Sequence, residues 1–238
     1  GAGGRGARGQ SMPGLREESA PGARAGPCAG LEENAFRLEK GAVRASYDEW
    51  AETYDEDSEK RLGFASPAEC VRVAARHARG ADDVLDAGCG TGLLADLMAR
   101  GGWAPARLRG FDLSPQMLDR ARPKGRYHRL DELDMTQLPW PYADGAFELV
   151  VCNGVLIYIE EPQVMEEFCR VVRPGGLVVL MLRHDGFPTF AAAIDRLQQE
   201  GRWRLVERTA DTRNFSAIEE NDPAGQVFFN IYVFQCLR

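Results

Sequence analysis

Three glycines and three carboxylates mark the points at which this chain can hold a ligand. Gly88, Gly90 and Gly92 alternate in Val84-Leu85-Asp86-Ala87-Gly88-Cys89-Gly90-Thr91-Gly92, between a short apolar run and a segment of helical spacing. Glycines placed this way let the backbone turn sharply and pass close to a ligand without a Cβ. The N–H groups that open the following helix add positive potential at the same spot. Asp112 ends the next apolar run, 24 residues beyond Gly88. A carboxylate there can accept from the 2′- and 3′-hydroxyls of a ribose. Asp134 ends the third run, where a carboxylate can accept from an exocyclic amine. Asp86 ends the first run, and its other reading is a brace for the loop backbone. Asn153 follows the fourth run, at the same crevice. Three acids in one crevice suit a nucleoside that carries a cationic group and suit a pyrophosphate badly.

These residues need a frame that brings strand ends together, and the surrounding pattern predicts one. Residues 35–60 and 66–79 have helical spacing. Strands are expected at 84–90, 107–114, 127–134, 147–156 and 177–183, with helices at 93–101, 115–122 and 162–172 between them. Pro115 suits the first turn of its helix, where the missing N–H costs little. Pro174-Gly175-Gly176 is expected to terminate the helix before it. A helix at 190–201 and strands at 203–209 and 226–237 complete the chain. Apolar strands alternating with helices imply an α/β fold with a mostly parallel sheet covered on both faces. The last strand follows another without a helix between, so it is expected to enter antiparallel.

Residues 1–34 are rich in Gly, Ala, Arg and Pro and contain almost no large apolar side chain. Such a segment cannot offset the cost of ordering its backbone and is expected to be a disordered tail, leaving 35–238 as one domain. Glu17 and Glu18 argue against a transit peptide there. The formal charge is −7, which disfavours general binding to phosphate backbones. No run of 18 apolar residues is present to span a membrane. The six cysteines form no C-x-x-C pair, so they read as buried thiols of a reducing compartment, and no metal site is expected. The expected location is the cytoplasm, with organelle targeting by the tail left open.

Four segments in order resemble the class I S-adenosylmethionine-dependent methyltransferases: VLDAGCGTG, GFDLSPQMLDRAR, DMTQLPWPYADGAFELVVCNGVL and EEFCRVVRPGGLVVL. The resemblance covers residues 44–185 and implies a Rossmann-like sheet of seven strands, mostly parallel, with an antiparallel last strand. It implies S-adenosylmethionine as cofactor, with Asp112 on the ribose, Asp134 at the adenine and the Met135 backbone facing the ring. Cys89, Leu113 and Met117 join the cofactor site by their places in the same motifs. Upstream, YDEWAETYDEDSE is similar to the start of the ubiquinone/menaquinone-biosynthesis type and of the methyltransferase-like protein of the Williams–Beuren region. That similarity implies that Tyr47 and Tyr54 cap the methionyl end of the cofactor. The residues themselves allow core packing for both, since aromatics seven apart on a helix also make a core face.

The resemblance implies methyl transfer to an acceptor the sequence does not identify. A small molecule is expected; the alternatives are a protein side chain or a binding module without turnover. Nucleic acid is not expected, since no basic strip interleaved with aromatics occurs. No Pro-Pro-Tyr follows the fourth strand, against the amino-methylating nucleic-acid type, and no Pro-Cys pair supports cytosine C5 methylation. A dinucleotide dehydrogenase requires G-x-G-x-x-G, and Leu93 stands where its third glycine belongs. No catalytic residue is assigned: His184 and Tyr158 are the reachable candidates, and His77 and His128 read as structural. The expected cover of the crevice is an aromatic lid from Tyr47, Trp50, Tyr54, Phe187 and Phe190.

Overall fold

The structure, a computed structural model, describes residues 40–238. The expected tail at 1–34 lies outside the described residues. The chain enters through α1 (Lys40–Trp50) and a short helix α2 (Tyr54–Glu56), which runs into a π-helical turn at Asp57–Leu62. Gly63 closes that turn with φ of 61°, a left-handed conformation that only glycine adopts at little cost. Then come α3 (Ser66–Ala78), β1 (Asp83–Ala87), α4 (Leu93–Arg100), β2 (Arg107–Asp112), α5 (Pro115–Ala121) and β3 (Arg129–Glu132). The second half holds β4 (Phe147–Cys152), α6 (Val164–Val171), β5 (Val172–Arg183), α7 (Phe187–Gln199), β6 (Trp203–Arg208), β7 (Thr212–Arg213) and β8 (Phe228–Cys236).

The strands form one sheet in the order β3-β2-β1-β4-β5-β8-β6, with β7 paired to β8. The pairs among β1 to β5 are parallel, and β8 runs antiparallel to both β5 and β6. The described sheet therefore has eight strands where seven are expected. The extra one, β7, is two residues long, too short for an alternating pattern to announce it. β5 also begins earlier than expected. Val172 pairs with Phe147, and the register shifts between Phe147 and Leu149. Pro174-Gly175-Gly176 thus forms an irregular stretch of strand rather than a bare helix stop. A Cβ on Gly176 would stand 2.7 Å from the Glu148 carbonyl oxygen, so only glycine lets β4 and β5 approach there.

Both sheet faces are buried, as continuous apolar strands require. Leu149 and Val151 of β4 join α3 and α4 in one core through Val73, Ala74, Leu94 and Met98. Val150 and Cys152, pointing the other way, join α6 and α7 through Phe168, Phe190 and Leu197. Trp203 stacks on Phe234 with ring centroids 4.2 Å apart, closing the β6–β8 end. Strand order reverses between β1 and β4, so the connections leaving these two strands diverge. A crevice opens at their carboxyl ends.

Candidate functional site

The glycine loop sits in that crevice because three of its residues hold left-handed backbone. Gly88, Gly90 and Gly92 have φ of 76°, 52° and 84°. Their surroundings differ. A Cβ on Gly88 would strike Val155 Cγ2 at 2.2 Å, and one on Gly92 would meet the Tyr127 ring at 3.0 Å. A Cβ on Gly90 would meet no protein atom within 4 Å, because it would point into a cavity of about 820 Å³.

Asp112 occupies the end of β2 and lines this cavity. Its Oδ2 accepts from Gly90 N at 2.8 Å and its Oδ1 from Ser114 N at 2.9 Å. Burial pushes its carboxyl pKa up despite those bonds. Each oxygen keeps a lone pair for a ligand hydroxyl. Ser114 caps α5 by accepting from Met117 N, which fixes Leu113 and Met117 at the cavity wall. Asp134 also lines the cavity. Its Oδ1 accepts from both Thr136 N and Thr136 Oγ1, at 2.9 and 2.7 Å, and its Oδ2 has no hydrogen bond among the described residues. Met135 lies beside it, its carbonyl taken by the Trp140 indole N–H at 2.8 Å. Asn153 closes the far wall, with its Oδ1 buried and unpartnered.

Two expected residues are elsewhere. Asp86 is 1% exposed and does not line the cavity. Its carboxylate turns behind the loop and accepts from the Tyr127 hydroxyl at 2.7 Å. Burial lifts its pKa to about 7, with the Asp112 charge adding to the rise and the Tyr127 bond opposing it. It braces the loop from below, through a side chain rather than through the backbone. Cys89 packs behind the loop too, against Gly110, and is absent from the lining. The loop presents its glycine backbone to the cavity, so the side chain between Gly88 and Gly90 faces the sheet.

The N-terminal helices form the roof. Tyr47 and Tyr54 line the cavity, and Tyr47 Oη donates to Tyr158 Oη at 3.1 Å. Trp50 does not join them: it is 3% exposed and its indole N–H donates to Asp57 at 2.7 Å. Phe187 stacks on Tyr232, so of the five aromatics expected in the lid only Tyr47, Tyr54 and Phe190 line a cavity. Polar bonds over long sequence distances hold the roof down. Asp55 accepts from Lys124 at 2.6 Å and from the Thr91 hydroxyl, and Asp48 accepts from the Ser114 hydroxyl. Arg44 reaches Glu132 at 3.0 Å. Sequence reasoning missed these anchors because isolated surface acids on a helix carry no periodic signal.

A second chamber of about 600 Å³ adjoins the first and shares Tyr47, Tyr54, Asn153, Gly154 and Tyr158 with it. Its outer wall is a short bridge, Phe64 opposite Phe215, fastened by Ala65 N to Asn214 O at 2.9 Å and Ser216 N to Gly63 O at 2.9 Å. The segment between β6 and β8 supplies that wall, although its sequence announces no such unit. His184 lines neither chamber. It stacks on Phe228 and bonds Asn230 at 3.1 Å. His77 is 2.6 Å from Glu207 on the surface of α3.

Residues 85–180 match the model of a methyltransferase domain. The chain is 32% identical over 214 residues to phosphatidylethanolamine N-methyltransferase of Cereibacter sphaeroides, covering 83% of this chain and 99% of that one. The chain belongs to the class I S-adenosylmethionine-dependent methyltransferases. It is also 34% identical over 165 residues to human methyltransferase-like protein 27, covering 66% of each. Among solved structures, N-methyltransferase NodS from Bradyrhizobium japonicum, in complex with S-adenosyl-L-homocysteine, aligns with a TM-score of 0.57 at 20% identity, over 82% of this chain and 99% of that one. The chain spans 51–66% of the length of three curated relatives that it matches. The cavity fits the family's cofactor, S-adenosylmethionine. The space in front of Gly90 leaves room for the ligand, and the orphaned Asn153 Oδ1 is an acceptor for an ammonium group. Among the described residues no His/Cys/Asp/Glu cluster could hold a metal, and no helix is long and apolar enough to cross a membrane.

Proposed function

We propose that this protein transfers a methyl group from S-adenosylmethionine to a small-molecule acceptor in the cytoplasm, without nucleic acid as a substrate. One observation carries the reading: the cavity lined by Gly90, Asp112 and Asp134 shares the wall formed by Tyr47, Tyr54, Asn153 and Tyr158 with a second chamber. A cofactor whose reactive carbon reaches that wall faces an acceptor held on its other side.

Asp112 holds the ribose, Asp134 Oδ2 the adenine amine and Asn153 the methionyl ammonium, with Gly88, Gly90, Leu113, Met117 and Met135 shaping the bed. When bound, the cofactor supplies an electrophilic methyl on a positively charged sulfur. That methyl would be open to in-line displacement by an acceptor's lone pair. Tyr47, Tyr54 and Tyr158 orient the two partners and exclude water, and positioning alone supplies much of the rate of such a displacement. Residues 35–238 form the catalytic unit. The test is to incubate the protein with methyl-labelled S-adenosylmethionine and fractionated small metabolites and to follow label transfer by mass spectrometry. Label entering a small-molecule fraction together with S-adenosylhomocysteine is expected. Label confined to protein or RNA fractions overturns the assignment.

A further inference from the structure

The second chamber is lined by two buried polar side chains that keep hydrogen-bonding capacity unused among the described residues. Asn214 is 6% exposed, lines the chamber, and leaves its side-chain oxygen buried without a partner. Arg183, at the end of β5, is 9% exposed and lines the chamber as well. Its Nε and Nη2 donate to Asp185 at 3.1 and 2.6 Å, and its Nη1 makes no hydrogen bond among the described residues. The pairing with Asp185 is local, two residues away, so it ties no elements together. It fixes the guanidinium in one orientation, with one nitrogen left for something else.

The rest of the lining decides what that is. Among the described residues Arg183 is the chamber's sole charged lining residue, and neither Asp112 nor Asp134 lines it. Phe64, Phe190, Phe215, Met181 and Leu182 supply apolar and mostly aromatic walls. A buried guanidinium with a free N–H edge recognises planar anions. A buried amide oxygen left without a donor keeps its desolvation cost until a ligand O–H or N–H pairs with it. Among the described residues no carboxylate or imidazole lines the chamber, and the one carboxylate on the guanidinium, Asp185, is held on its other two nitrogens.

We propose that this chamber is the acceptor site and that the acceptor is a small carboxylate with a flat apolar body, its carboxylate on Arg183 and a hydroxyl or amino group donating to Asn214. The inference rests on the methyl-transfer reading above and names the substrate class of that same site.

The experiment measures fragment binding to the full chain saturated with S-adenosylhomocysteine, by calorimetry and ligand-observed NMR. The probes are benzoate and indole-3-acetate, their neutral amides benzamide and indole-3-acetamide, and phenyl phosphate. The carboxylates are expected to bind about tenfold tighter than the matched amides and tighter than phenyl phosphate. Arg183→Met is expected to remove that preference and leave S-adenosylhomocysteine binding unchanged. Should Arg183→Met fold poorly, Asp185→Asn, which frees the guanidinium, is expected to strengthen carboxylate binding. Amides binding as well as acids, phenyl phosphate binding tightest, or no probe binding while S-adenosylhomocysteine binds normally would each overturn the acceptor class and leave the methyl-transfer reading standing. Loss of S-adenosylhomocysteine binding in the unmodified chain would instead sink that reading, and the inference with it.

Discussion

The amide of Gly90 donates to the carboxylate of Asp112 at 2.8 Å, so the glycine loop after β1 is latched to the end of β2 by the group proposed to hold the ribose. Ligand binding and loop shape are coupled through one side chain. Asp112→Ala removes the ligand's acceptors and also strands the N–H groups of Gly90 and Ser114. Charge-assisted hydrogen bonds contribute about 1.5–3 kcal/mol each, so affinity for S-adenosylhomocysteine is expected to fall at least about tenfold. A lower melting temperature is expected with it. Calorimetry and thermal unfolding check both, and an unchanged dissociation constant excludes Asp112 as the ribose ligand.

Gly88 and Gly90 are expected to fail in different ways. At Gly88 a side chain collides with Val155, so Gly88→Ala should lower stability, by about 1–3 kcal/mol for overpacking plus left-handed strain. At Gly90 the space ahead is empty of protein, so Gly90→Val should fold with backbone strain alone and lose cofactor binding. Denaturant unfolding beside S-adenosylhomocysteine titration separates the two. A Gly90→Val protein that binds normally would show that the loop does not contact the ligand.

Asp86 makes stability depend on pH. Its folded pKa of about 7 lies above the ordinary 3.8, so the folded state holds the proton more tightly than the unfolded chain does. The folded protein is therefore favoured at low pH by this group, and that advantage is lost as pH rises through the interval to about 7. At 1.36 kcal/mol per unit the swing is of order 4 kcal/mol at most. Asp86→Asn should flatten this part of the stability profile and leave the protein more stable than the original at pH 8. Urea unfolding between pH 5 and 8 measures it. Parallel profiles for the two proteins would contradict the burial argument.

Asp55 anchors the roof from a position outside the cavity lining. Asp55→Ala breaks its bonds to Lys124 and Thr91 and should weaken S-adenosylhomocysteine binding severalfold with little loss of stability, since exposed ion pairs contribute about 0–1 kcal/mol. Glu52→Ala, on the same segment but 79% exposed in its side chain, serves as the control and should change neither. Equal affinities for the two variants would mean that the roof does not depend on this anchor.

The sequence by itself determined the strand and helix order, the crevice at the ends of β1 and β4, and the places of Asp112, Asp134 and Asn153. Those features follow from local rules. Apolar runs of strand length, glycines at left-handed positions and acids at strand ends each act within a few residues. It left open which way the neighbouring side chains turn. Asp86 and Cys89 stand in the motif beside Gly88 and Gly90, yet they face Tyr127 and Gly110 behind the loop. Tyr47 and Tyr54 fitted a core face equally well until Tyr158, more than a hundred residues on, met Tyr47 across the cavity. The second chamber depends wholly on tertiary structure. Phe64 meets Phe215, Arg183 comes to line a chamber and Asn214 loses its water only when the segment after β6 folds back on the end of the π-helical turn. No periodicity encodes such a meeting, since each partner alone reads as an ordinary loop residue.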